Sequence, residues 1–204
     1  MPEDLDALLT AYELKDETRT GWELRNVGAP ESVAAHSWGV AFLTLAYADD
    51  AGVDADRALR LAVLHDVGEA ELGDVPTRAD PAHEPDVTDA EKEARERETV
   101  ASLADALGED VRADWETYED RDSPEARFVK DMDLVDMCVQ ALLYEREERY
   151  DPGETAEFTE YDRLDEFFAT AEPRLSTGVG RDLFERVRAA YEAARRDRDA
   201  GDTE

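Results

Sequence analysis

The sequence predicts an all-α protein, and three observations carry that reading. Apolar residues recur at three- and four-residue spacing almost throughout. No segment alternates apolar and polar residues as a half-buried strand would. Breaks such as Gly28-Ala29-Pro30, Gly52, Gly73 to Pro76, Gly108 and Pro152-Gly153 separate the periodic stretches. Leu5, Leu8, Leu9 and Tyr12 lie on one face of a first helix. After Gly28-Ala29-Pro30-Glu31, Ser32 is placed as an N-cap. The helix that follows carries Val33, His36, Val40, Leu43 and Tyr47 and stops near Gly52. Asp54 caps the next, where Leu59, Ala62, Val63 and Asp66 keep the period and a short turn continues through Glu69. Gly73-Asp74-Val75-Pro76-Thr77 must break regular structure. Thr88 to Leu107 reads as a charged, exposed helix with a thin apolar stripe, closed by Gly108. Between Gly108 and Pro124 the pattern assigns no element. Pro124 opens a helix running to about Tyr150, with Phe128, Val129, Met132, Val135, Met137, Val139, Leu142 and Leu143 as its apolar body, and Pro152-Gly153 ends it. Two amphipathic helices follow, around residues 157–171 and 179–195.

The chain has 204 residues with no repeat and no Ser/Gly linker, which predicts one domain over 1–204. Its core spans about 5–150, and the C-terminal helices pack on it. Asp and Glu total 54 against 23 Lys and Arg, a net charge of -31. The acids are scattered through every segment instead of forming a tail, and only Lys15, Lys92 and Lys130 are lysines. This pattern reads as the surface of a protein from a halophile, because molar salt screens charge repulsion within about 3 Å. The same surface repels nucleic-acid phosphates, so no nucleic-acid partner is expected. No apolar run reaches the ~18 residues of a membrane span, and MPEDLDALLT lacks a secretory pattern. A cytoplasmic location follows as an expectation. One cysteine, Cys138, excludes an internal disulfide framework and a cysteine-cluster zinc site.

Three histidines can be weighed one by one. His65 and Asp66 close an apolar helix, so their side chains can converge off its tip, and imidazole with carboxylate is an ordinary donor pair for a divalent ion. His36, behind an apolar face on a separate helix, reads either as a hydrogen-bonded core histidine or as a further ligand. In Val129-Lys130-Asp131-Met132-Asp133, Asp133 falls among apolar neighbours, where an unpaired carboxylate is costly. Asp131 and Asp136 compete with it for the role. Two imidazoles and two carboxylates suit manganese, cobalt, iron or nickel better than magnesium. Glu69 lies three residues after Asp66, and Asp74 follows Gly73. One could take a proton from water and the other protonate a leaving oxygen, and solvent exposure is the competing reading for both. Arg19 could grip a phosphate with its planar fork. Trp22 could equally be core. His83 reads as a loop residue and Cys138 as packing.

The order His36 … His65-Asp66 … Asp133 resembles the HD-domain metal-dependent phosphohydrolases. Arg19-Thr20-Gly21-Trp22, Arg25-Asn26-Val27, Glu31 to Ser37, His65 to Glu69, Gly73 to Thr77 and Lys130 to Asp133 extend the likeness. Together they resemble the YfbR-type 5'-deoxynucleotidases and their eukaryotic HD-domain relatives, over roughly Leu5 to Arg149. The resemblance implies a compact HD-domain helical bundle, usually a homodimer, that removes the 5'-phosphate from deoxynucleoside monophosphates. It implies one divalent ion (cobalt, manganese or copper among the effective ones, zinc or magnesium possible) on His36, His65, Asp66 and Asp133. It implies that Glu69 handles the attacking water and Asp74 the leaving group. Arg19 would orient the phosphate, with Trp22 and the Asp74-Val75-Pro76-Thr77 turn near the nucleoside. Two other readings stand beside it. One is a dNTP triphosphohydrolase using the same ligands. The other is a binding module with a purely structural metal, which would need neither Glu69, Asp74 nor Arg19.

Overall fold

The computed structural model describes residues 3–76, 79, 88–151, 161 and 163–201. They form α1 (Glu3–Glu13), α2 (Thr20–Glu23), α3 (Val33–Ala51), α4 (Ala55–Leu64), α5 (Glu69–Leu72), α6 (Asp89–Leu107), α7 (Glu109–Asp120), α8 (Pro124–Arg146), α9 (Asp165–Ala171) and α10 (Gly178–Gly201). A 3₁₀ turn, Glu172–Arg174, follows α9. Among the described residues the fold is all-α, with one isolated bridge between Thr18 and Ser32 and no strand. No helix among them is long and apolar enough to cross a membrane.

The helix starts follow the capping chemistry of the sequence. Ser32 accepts from the Ala35 N–H at 3.2 Å and Asp54 from the Arg57 N–H at 3.1 Å. Thr88 and Glu91 form a reciprocal capping box, and Ser123 caps α8 with Pro124 at its first position. Helix α8 is the centre of the molecule. Phe128, Val129, Met132 and Val135 are fully buried along it, each contributing about 1.5–3 kcal/mol by leaving water. Helices α3, α4, α7, α9 and α10 pack around it, α10 most extensively.

Four details differ from the sequence pattern. Helix α7 fills the stretch given no element: it is strongly acidic, and only Trp115 and Tyr118 are buried on it, too thin a stripe to stand out. The buried face of α4 is Ala58, Leu61 and Ala62, so Val63 is 56% exposed and the face is turned from the expected one. Helix α8 stops at Arg146, before Pro152-Gly153, which lie outside the described residues. On α1, Ala7 is buried while Leu5, Leu8, Leu9 and Tyr12 face outward, so among the described residues the apolar face of this helix is not covered. The helix expected over 157–171 is described only from Asp165.

The buried apolar residues form two clusters. The larger is built on α3, α4, α8, α9 and α10, and the smaller on Leu14, Val33, Val67, Val100, Leu103 and Trp115. Val33 belongs to one and Val40 to the other, as do Val67 and Ala62. His36 and His65 therefore sit at the seam between the two, where polar side chains can meet without crossing either core.

Candidate metal centre

Three separate parts of the chain converge at that seam: α3 delivers His36, the turn after α4 delivers His65 and Asp66, and α8 delivers Asp133. His36 Nε2 is the hub. It lies 3.3 Å from His65 Nε2, 3.1 Å from Asp133 Oδ1 and 3.7 Å from Asp66 Oδ2, while His65 Nε2 is 3.1 Å from Asp66 Oδ2. The donor atoms of His36, His65 and Asp66 all fall within 4.8 Å of one another, a spacing able to hold a metal ion.

The far side of each imidazole decides which nitrogen faces the centre. His36 Nδ1 meets Asp136 Oδ2 at 2.7 Å, and His65 Nδ1 meets the Ala62 carbonyl at 2.8 Å. Both partners are acceptors, so each ring keeps its proton at Nδ1 and turns the Nε2 lone pair inward. The two lone pairs and the Asp66 carboxylate then crowd one small volume, with Asp133 beside His36. A cation is what this donor set lacks, and the residues fit a divalent ion. Without a bound cation the crowded acceptors recruit a second proton onto His36 instead. Burial and Arg19 oppose a charge on His36, but Asp133 and Asp136 outweigh them and lift its pKa to about 10. Burial alone would raise Asp66 and Asp133, yet His65, His36 and Arg19 hold Asp66 well below the usual carboxylate range, and Lys130, His36 and His65 do the same for Asp133.

The three acids of α8 have separate tasks. Asp133 faces the centre, with its Oδ2 accepting from Lys130 Nζ at 2.7 Å and from the Tyr118 hydroxyl at 3.1 Å. Asp136 orients His36, and it reaches that ring because Gly39 stands opposite: a Cβ there would lie 2.8 Å from Asp136 Cγ. Asp131 turns away, accepting from the backbone N–H groups of Ser176 and Thr177 at the start of α10. Asp131 is thus a capping group rather than a donor to the centre.

Beside the centre opens a cavity of about 310 Å³. Arg19, Trp22, Asp66, Glu69, Asp74, Val75, Pro76 and Asp133 line it, so most residues singled out in the sequence meet in one place. Thr77 and His83 lie outside the described residues. Glu69 opens α5 after a tightened turn, its N–H bonded to the Asp66 carbonyl at 3.0 Å. It is buried; Oε1 accepts from Lys92 at 3.2 Å, while Oε2 has no hydrogen-bond partner among the described residues. Burial, Asp66 and Asp74 push its carboxyl well above the ordinary range, against Lys92 and Arg19. Asp74 braces the opposite wall: Oδ2 accepts the Thr20 N–H at 2.6 Å, and its carbonyl accepts the Thr20 hydroxyl at 2.8 Å. Arg19 is held between Asp66 Oδ2 at 3.5 Å and Asp74 Oδ1 at 3.9 Å. Trp22 is both core and wall. Its ring stacks on Phe167 at 3.8 Å and its N–H donates to Glu31 at 3.0 Å.

Several residues of the site were not legible beforehand. Lys92, Lys130 and Arg174 join Arg19 around the cavity, so a chain of net charge -31 places four cations at one opening. Two of its three lysines are among them, and this scarcity was the available signal. Tyr118 sits on α7, the helix the periodicity missed.

A family model described as HD domain matches residues 11–175. The chain is 38% identical over 158 residues to human 5'-deoxynucleotidase HDDC2, covering 76% of this chain and 74% of that protein. It is 34% identical over 141 residues to 5'-deoxynucleotidase hdd1 of Schizosaccharomyces pombe, covering 65% of this chain and 68% of the relative. Among solved structures, the PH0347 protein of Pyrococcus horikoshii OT3 superposes with a TM-score of 0.69 at 28% identity, covering 92% of this chain and 98% of that one.

Proposed function

The chain belongs to the HD-domain family, and on that premise we propose a metal-dependent phosphohydrolase that removes the 5'-phosphate from deoxynucleoside monophosphates. His36, His65, Asp66 and Asp133 would hold its single divalent ion. The observation that carries the reading is Glu69 Oε2, a buried carboxylate oxygen without a described hydrogen-bond partner, on the wall of a cavity shared with those ligands and Arg19.

A divalent ion bound there supplies Lewis-acid polarisation of a phosphoryl oxygen and lowers the pKa of a water. Glu69 takes up the proton of the attacking water at Oε2. Its raised carboxyl makes it a stronger base than an exposed glutamate. Arg19 presents its fork to the phosphate. Asp74, already fixing the backbone of Thr20, orients a solvent water that protonates the leaving oxygen of the sugar. Trp22, Val75 and Pro76, with Phe167 and Met137, form the less polar lining against which the nucleoside rests. The mixed nitrogen and oxygen donors favour manganese, cobalt, iron, nickel or copper over magnesium or zinc.

The cavity stands at the small end of the roughly 300–1,000 Å³ typical of ligand pockets, which favours a monophosphate over a triphosphate. A panel of nucleoside mono- and triphosphates, assayed in molar KCl with each divalent ion in turn, tests this. Orthophosphate from a deoxynucleoside monophosphate is the expected product. Intact triphosphate as the released product would instead make the chain a dNTP triphosphohydrolase, and no turnover under any condition would leave only a metal-stabilised binding module.

The reading extends to the setting of the enzyme. A homodimer is supported by uncovered apolar faces: Trp38, 70% exposed, stacks on Phe42 on α3, and Leu5, Leu8, Leu9 and Tyr12 line α1. A cytoplasm of high salt, as in a halophile, is supported by the dispersed charge of -31. Helical circular dichroism is expected to fall as KCl is lowered from molar to millimolar concentration, because screening lengthens from about 3 Å to about 30 Å at 0.01 M. A signal indifferent to salt would remove the halophilic part of the reading.

A further inference from the structure

Helix α6 packs its C-terminal half, Val100 and Leu103, into the smaller core, and its first turn carries a lysine where the helix dipole disfavours one. That residue, Lys92, reaches into the site. Its ammonium lies 3.2 Å from Glu69 Oε1, 3.0 Å from the Val75 carbonyl and 3.4 Å from Glu96 Oε1. An ammonium has three N–H groups, and three acceptors surround this one, so none is left over for a substrate. Gly68 makes the approach possible. A Cβ there would lie 2.8 Å from Glu96 Cβ and 3.2 Å from its Cα, so a side chain at 68 would force α6 away from Glu69.

We infer that Lys92 is a positioning residue for the hydrolysis: anchored by the Val75 carbonyl and Glu96, it engages Oε1 of Glu69, which commits Oε2 to the cavity. The inference rests on the reading of Glu69 as proton acceptor. Lysine is suited to the task in a way that arginine, the common cation of this chain, is not. A compact tetrahedral ammonium can meet three converging acceptors, whereas a planar guanidinium spreads its donors along one plane. The charge also serves the pair, since Glu69 faces Asp66 and Asp74 and Lys92 opposes them together with Arg19.

The test is Lys92→Met and Lys92→Arg, each also placed in a Glu69→Gln background, with steady-state and single-turnover kinetics and calorimetric titration of Mn²⁺. Lys92→Met is expected to lower kcat by ~10–100-fold, the range that a small misplacement of a reacting group costs, with KM and Mn²⁺ affinity unchanged. In the Glu69→Gln background the same change should cost nothing further, because its effect passes through Glu69. Lys92→Arg, which keeps the charge and stays readable if the methionine variant fails to fold, should also lose kcat. An unchanged kcat in either variant, an equal loss on top of Glu69→Gln, or a parallel rise in KM overturns the inference. Full activity of Glu69→Gln by itself would instead overturn the reading of Glu69.

Discussion

A His36→Ala variant is expected to lose divalent-metal binding and phosphate release together, and Asp136→Ala to lose ~10–100-fold in metal affinity with the centre otherwise intact. His36 Nε2 is the one atom within 3.7 Å of all three other donors, so its removal takes away the hub and not merely one of four equal contacts. Asp136 touches only the far nitrogen of that ring, at 2.7 Å. Without it the imidazole can rotate or carry its proton on the wrong side, which weakens binding but leaves every donor in place. Titration of Mn²⁺ into chelator-stripped protein checks both variants, and circular dichroism in molar KCl checks that the helices persist. Equal affinity of the natural chain and Asp136→Ala would show that the ring needs no help in choosing its tautomer. Retained binding by His36→Ala would remove His36 from the ligand set.

The parts of this arrangement that were legible in the sequence are those that depend on local order. Ser32 and Asp54 cap helices because a short polar side chain next to an apolar period has little else to do. His65 and Asp66 are adjacent, so a helix end must present them together. Asp133 stood out because carboxylates are rare among apolar residues. What stayed hidden depends on how elements approach. Asp131, Asp133 and Asp136 look alike along α8, and only the positions of α10 and α3 separate a cap, a proposed ligand beside His36 Nε2 and a support at His36 Nδ1. Tyr118 reaches Asp133 from a helix with almost no apolar period. The exposed face of α1 and the turned face of α4 have the same origin, since period fixes which residues share a face but not which face is covered. Gly39 and Gly68 were the readable traces. A glycine within a helix, or just before one, marks a close approach to something, though not to what.

Glu69→Gln is expected to lower kcat by ~10²–10⁴-fold, the range of a general base, while KM and metal affinity stay close to those of the natural chain. The substitution keeps the shape and an oxygen able to accept from Lys92, and removes the capacity to take up a proton. Among the described residues Glu69 has no hydrogen bond or ion pair to Arg19 or Asp74, only their longer-range charge. Asp74 is different. Its carboxylate holds the Thr20 N–H at 2.6 Å and lies 3.9 Å from the Arg19 guanidinium, so Asp74→Ala should raise KM as well as lower kcat. Steady-state kinetics on one deoxynucleoside monophosphate separates the two acids by this contrast alone. A KM effect in Glu69→Gln matching that of Asp74→Ala would mean that both acids shape the binding wall. The proton acceptor would then have to be sought elsewhere in the cavity.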